Sequence, residues 1–199
     1  MLTRASHSHQ SCCRLGIIET MNFVRILLKL CVRIAQPDEL PYNQNAAILL
    51  SFVHAAVSWI NLVKFDAFSN PSVYALFIAV AQILGVFLLL RICSKSSRFI
   101  QTLSALLGTS IIISVVSSSL ASILPIPLLA GFLLFWQLYI PTFILKSALE
   151  IPVFVAFFSY IGIILFSFIL TAVVFPDFIT ELENWLEIVN QQAEQAQQQ

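Results

Sequence analysis

The stretch FIQTLSALLGTSIIISVVSSSLASIL, residues 99–124, decides the fold. It holds no charged residue, and it exceeds the roughly 20 residues that cross a 30 Å hydrocarbon core at 1.5 Å per residue. Its apolar residues do not alternate with period two, which argues against a barrel strand. A helix pairs each backbone N–H and C=O within its own segment, as the interior of a bilayer demands. The stretch therefore reads as a membrane-crossing helix, with serines set into one side of it.

The rest of the chain agrees. Of 199 residues, 59% are apolar and only 10% are charged, against roughly 25% charged in an ordinary soluble domain. Such a chain cannot clothe a water-facing surface with charge, whereas lipid accepts apolar surface directly. Four more apolar segments flank the first, at Ala46 to Val63, Ser72 to Ile92, Ile126 to Leu145 and Ile151 to Phe175. Breakers separate them: Asn70-Pro71, Ser94 to Ser97, Pro125-Ile126-Pro127 and a link from Lys146 to Glu150. The expected fold class is all-α: a polytopic integral membrane protein, a bundle of five transmembrane helices with an amphipathic helix at each end. In domain terms, 1–20 is a disordered or mis-assigned start and 21–45 a basic interfacial helix and linker. Residues 46–175 form the transmembrane domain, and 176–199 an acidic amphipathic helix with a glutamine-rich, disordered end beyond Asn190.

Charge sets the expected orientation. With the N-terminus in the cytoplasm, Arg4, Arg14, Arg25, Lys29, Arg33, Arg91, Lys95, Arg98 and Lys146 fall on the cytoplasmic side and only Lys64 on the other. The tail after Phe175 carries Asp177, Glu181, Glu183, Glu187 and Glu194 without a base, and lies outside. Zero formal net charge leaves no footprint for nucleic acid. The lipid bilayer is the expected partner, with other membrane proteins or a second copy beside it.

At the two ends, helical spacing is plain. Arg25, Lys29 and Arg33 recur every four residues opposite Phe23, Leu27, Leu30 and Ile34. This pattern suits a helix flat on anionic headgroups, or equally one packed on the bundle. Translation is expected to start at Met21. In the tail, Phe178, Leu182, Trp185, Leu186 and Val189 share one helix face.

Two polar faces are candidates for function. Ser51, His54, Ser58 and Asn61 lie on one face of the first span, with Gln82, Gln137 and Tyr160 as possible partners for the histidine. An intramembrane histidine marks a functional hypothesis by default. The bland reading is an interhelical hydrogen bond; the sharper one is a cavity-lining stripe that binds a ligand or a proton. Ser110, Ser114, Ser117, Ser118 and Ala121 cluster on one face of the third span, where small residues let helix axes approach. Packing is the favoured reading, a hydrated path the other. Pro141, inside the fourth span, is expected to bend it.

No cofactor or metal is expected: His7, His9, Cys12 and Cys13 have none of the recognised zinc spacings. The sequence contains no G-x-S-x-G, P-loop or H-E-x-x-H motif, and no enzyme is expected.

Three stretches carry a family resemblance: PDELPYN (37–43), RFIQTLSALLGT (98–109) and WQLYIPTFILKSALEIP (136–152). With the order of the spans they make residues 21–175 resemble small bacterial inner-membrane proteins of the Yip-type five-span family. The resemblance implies a membrane-embedded bundle without catalytic residues, in a bacterial inner membrane; eukaryotic members bind small GTPases and act in vesicle traffic. Tyr139-Ile140-Pro141 departs from the histidine-containing stretch of similar proteins, so no role tied to that stretch carries over. Function is thus expected to be non-enzymatic, through interaction with or organisation of membrane components. A small transporter or channel component is the alternative.

Overall fold

The computed structural model of the chain describes residues 21–63, 68–123 and 127–197. The expected disordered or mis-assigned start (residues 1–20, with His7 to Cys13) and Lys64 lie outside the described residues. Helix α1 covers residues 21–31, and a 3-10 turn follows at Pro37–Glu39. Then come α2 (Gln44–Val63), α3 (Pro71–Ile92), α4 (Phe99–Ile123), α5 (Pro127–Leu149), α6 (Val153–Val174) and α7 (Asp177–Gln197). No strand occurs among the described residues. Helices α2 to α6 are each long and apolar enough to cross a membrane, so the chain is an all-α, five-span bundle.

Two boundaries differ from expectation. The fourth span does not stop at Leu145 but continues to Leu149, through Pro141 and with Lys146 in its last turn. Leu145, Ala148 and Leu149 are buried, which explains why one lysine does not end the helix. Helix α7 continues past Asn190 to Gln197, where disorder was expected. Glutamine, alanine and glutamate are all good helix formers, and this segment has no glycine, proline or β-branched residue to stop them.

Successive spans alternate in direction. At one end, Gln101 Nε2 at the start of α4 donates to the Leu40 carbonyl just before α2, 2.9 Å away. Lys95, after α3, meets Glu150, after α5, at 2.7 Å. At the other end, Ser69 Oγ between α2 and α3 donates to Glu181 Oε1 of α7 at 2.6 Å. The bundle thus has a basic end and an acidic end.

Helix α4 is the centre. Half of its span is buried inside the protein, against 11% for α2 and 17% for α6. Burial runs without interruption from Thr102 to Thr109, so this part touches protein on every side. The Thr109 hydroxyl donates to the Ala105 carbonyl four residues back at 2.7 Å, and Ser167 and Thr171 of α6 do the same at 2.8 and 2.7 Å. Close approach of α3 to α6 uses a missing side chain: Gly85 is buried, and a Cβ on it would lie 3.3 Å from Ile163 Cγ2.

Helix α1 is packed on the bundle rather than flat on a surface. Its buried residues are Leu27, Leu30 and Cys31, with Phe23 and Ile26 against the same core. A Cβ on Gly108 would come within 2.7 Å of Leu27 Cδ1 and Cδ2, so the missing side chain is what admits α1. Gly108 lies about 14 Å along α4 from its first residue at 1.5 Å per residue, too deep for a helix lying on the headgroups. Ile34, expected on the apolar face, is 72% exposed. The helix has ended before it: Arg33 takes a left-handed conformation (φ 61°) and the Ile34 amide donates back to the Lys29 carbonyl at 2.8 Å.

Candidate functional site

Three helices end at the basic pole with a left-handed residue, and none of the three is glycine. Arg33 closes α1, Ser94 (φ 57°) closes α3 and Glu150 (φ 59°) closes α5. In each, the next amide returns to a carbonyl five residues back: Ile34 to Lys29, Lys95 to Leu90 at 2.8 Å, Ile151 to Lys146 at 3.3 Å. That geometry satisfies helix-end carbonyls but favours glycine. At Glu150 the side chain explains the exception. It reaches Lys95 Nζ at 2.7 Å and Arg98 Nη2 at 2.9 Å, while Arg98 Nη1 donates to the Ala148 carbonyl at 3.2 Å. The hydrogen bond and charge of Lys95, then the charge of Arg98, hold the Glu150 carboxyl below the usual carboxylate range. A lowered value means these pairs are intact at neutral pH and are lost as pH falls through it.

Beside these pairs lies a cavity of about 390 Å³. Asp38 of the 3-10 turn, Arg98, Gln101 and Thr102 of α4 with its lead-in, and Lys146 and Glu150 at the end of α5 line it. The turn that forms one wall is tied down twice: Gln101 holds Leu40, and the Gln36 amide donates to Glu39 Oε1 at 2.8 Å. None of this cavity was singled out in the sequence beyond its basic residues. The signal was a run of hydrogen-bonding residues, Arg98, Gln101 and Thr102, spaced along one side of the first turns of α4.

Of the stripe on α2, two members find partners within the apolar band. His54 Nε2 lies 3.1 Å from Gln82 Oε1, and His54 is buried. Asn61 Oδ1 accepts from Ser118 Oγ at 3.3 Å, joining the stripe to the serine face of α4. Ser51 Oγ donates to its own helix at the Ala47 carbonyl, 2.8 Å away, and Ser58 is half-buried. Gln137 is exposed on α5 and stands apart from His54, because that turn of α5 buries Leu133 and Ile140 instead. Tyr160 and Ser110 line the small void beside His54, which measures about 40 Å³.

On α4, Ser114, Ser117 and Ser118 are half-buried, and Ser117 Oγ is enclosed without a hydrogen-bond partner among the described residues. The side chain of Ala121 lies outside the described residues. Of the basic residues on α1, Arg25 is exposed and Lys29 half-buried. Arg33 donates to the Tyr139 hydroxyl and stands over the Phe143 ring, 4.7 Å from its centre. These bases therefore contribute to docking α1 as well as to surface charge.

No family model, curated protein or solved structure matches the chain. Chemistry must be read from the residues alone. Among the described residues no group of three histidines, cysteines or acids could hold a metal ion.

At the opposite pole the side chains are aromatic. Tyr74 packs edge-on against Phe68, Phe175 and Phe178, and Phe178 stacks on Phe68 at 6.0 Å. This cluster fixes the first turn of α7 to the bundle, and Ser69 with Glu181 lies beside it. The side chains of Trp185 and Val189 lie outside the described residues.

Proposed function

We propose that the chain is a non-enzymatic integral membrane protein that works by lateral interaction with other membrane components, in keeping with its Yip-type resemblance. The observation that carries this reading is how its intramembrane polar groups are spent. His54 is occupied by Gln82, and Asn61 by Ser118. The void beside His54 and Gln82 is about 40 Å³, close to the volume of one water rather than of a solute path. A pathway through lipid also calls for ionisable groups in series, and His54 has only neutral neighbours around that void. Meanwhile α2 turns Leu49, Phe52, Trp59 and Ile60 outward, an apolar flank suited to lipid or to another helix.

In this reading the protein sits in a bacterial inner membrane with its basic pole in the cytoplasm and α7 outside. In-cell crosslinking followed by mass spectrometry is expected to recover other membrane proteins or a second copy. Purified protein in liposomes is expected to pass no solute, and His54→Leu to leave that baseline unchanged. Solute flux that disappears in His54→Leu would instead make the stripe a conduit and end the lateral-interaction reading.

A further inference from the structure

We propose that the cavity at the basic pole binds a phosphate group that carries its own amine, the chemistry of a phosphoethanolamine headgroup. The inference is independent of the lateral-interaction reading, since it concerns a different part of the molecule.

Size and position come first. About 390 Å³ lies within the range of small-ligand sites and is ample for a headgroup. The cavity sits where α4 begins and α5 ends, at the level where apolar spans give way to charged residues. Lipid phosphates occupy that same level of a bilayer.

Charge decides the class. Arg98 is held at the wall by Glu150 and the Ala148 carbonyl, two of its partners lying at 2.9 and 3.2 Å. A guanidinium has five N–H donors in a fixed fork, so donors remain for a phosphate. Lys146 also lines the cavity, half-buried, and among the described residues its side-chain ammonium has no ion pair or hydrogen bond. Lys95 shares the Glu150 carboxylate with Arg98, so that acid is already matched by two cations. The remaining charge on the lining is Asp38, carried on the 3-10 turn that Gln101 pins in place through Leu40. A bare anion would leave Asp38 opposed, whereas a zwitterion offers it an ammonium. Gln101 and Thr102 add neutral hydrogen-bonding groups to the lining.

The left-handed Glu150 belongs to the same construction. A non-glycine residue in that conformation is strained, and here the strain aims the carboxylate that fixes Arg98.

The test is native mass spectrometry of the full chain in detergent, titrated with phosphatidylethanolamine, phosphatidylglycerol or diacylglycerol of matched acyl chains. The expected result is preferential retention of phosphatidylethanolamine, weakened about tenfold in Lys146→Gln by loss of a charge-assisted contact. Asp38→Asn is expected to abolish the preference over phosphatidylglycerol. Arg91→Gln, on an exposed residue outside the lining, should leave retention unchanged. Glycerophosphoethanolamine, which has no acyl chains, separates the two sources of the headgroup. If it binds with the same dependence on Lys146 and Asp38 while the lipid does not, the site takes a free phosphoethanolamine. Binding of all three lipids that is indifferent to both Lys146 and Asp38 overturns the site, and so does phosphatidylglycerol retained as well as phosphatidylethanolamine by the unaltered protein. A circular dichroism spectrum unchanged in both variants keeps a folding defect from passing as lost binding.

Discussion

The two poles of this bundle are built from different interactions. At the basic pole, ion pairs between exposed side chains, left-handed helix ends and a bound-down turn surround an open cavity. At the acidic pole, Phe68, Tyr74, Phe175 and Phe178 fill the space between α3, α6 and α7 with rings. Aromatic burial contributes several times what exposed ion pairs do. The acidic pole is therefore the stronger closure, and the basic pole keeps polar groups accessible at some cost in strain. An end that is filled serves packing; an end that is polar, strained and hollow has room for a ligand.

If that contrast holds, the largest effect comes from emptying the aromatic pole. Phe178 is 3% exposed and touches Phe68, Tyr74 and Phe168. Phe178→Ala is expected to cost about 3 kcal/mol in the local closure, the low end of buried aromatic truncations. Hydrogen exchange should show amides of the first two turns of α7 losing protection while α4 keeps its own. Unchanged protection in α7 would mean that Ser69 and Glu181, not the rings, hold this pole.

A smaller effect is expected where α1 meets the bundle on its way to the basic pole. Leu27 occupies the space in which Gly108 has no side chain, so Gly108→Leu should displace α1 at a cost of about 2 kcal/mol. Cys31 gives the readout. Its thiol is buried, and that burial pushes its pKa up to about 11. Since the thiolate is the reactive form, alkylation at pH 8 is suppressed in the docked helix and should accelerate when α1 leaves. Gly162→Leu is the matched control, because nothing lies within 4 Å of a Cβ there. Equal labelling of Cys31 in both variants would show that α1 does not depend on the Gly108 gap.

What could be read from the sequence follows from what each region's physics leaves in it. The five spans were legible because lipid tolerates only long apolar helices, and length and hydropathy record that demand residue by residue. The His54 to Gln82 contact was legible because an intramembrane polar group must find another, and few were available. The α3 to α6 contact at Gly85 was missed, because one glycine in an apolar span makes no repeating pattern. The conspicuous serines of α4 drew attention instead, while the fully enclosed part of α4 lies earlier, from Thr102 to Thr109. A segment buried all round has no polar face to announce it. The cavity was illegible for a different reason. Asp38, Arg98 and Lys146 are far apart in the chain, and only the folding of the 3-10 turn, α4 and α5 together brings them to one cavity.

The smallest effect tests whether strain at the basic pole is incidental or maintained. Ser94 and Glu150 share the same left-handed geometry, at φ 57° and 59°. Among the described residues no side-chain hydrogen bond or ion pair of Ser94 offsets the unfavourable backbone, so Ser94→Gly should remove strain without removing such a contact. Left-handed backbone costs a non-glycine residue roughly 1 kcal/mol, and the greater freedom of glycine in the unfolded chain takes back part of that. A net gain of about 0.5 kcal/mol, or a rise in Tm of about 1–2 °C in detergent, is expected. Glu150→Gly relieves the same backbone but deletes the acceptor for Lys95 and Arg98, so it should leave Arg98 held by the Ala148 carbonyl without its ion pair. If both substitutions raise Tm alike and headgroup retention survives in Glu150→Gly, the Glu150 carboxylate is not what positions Arg98. If only Ser94→Gly is gained and Glu150→Gly loses the headgroup, the strained residue is kept for the side chain it aims, and the hollow pole is built for binding.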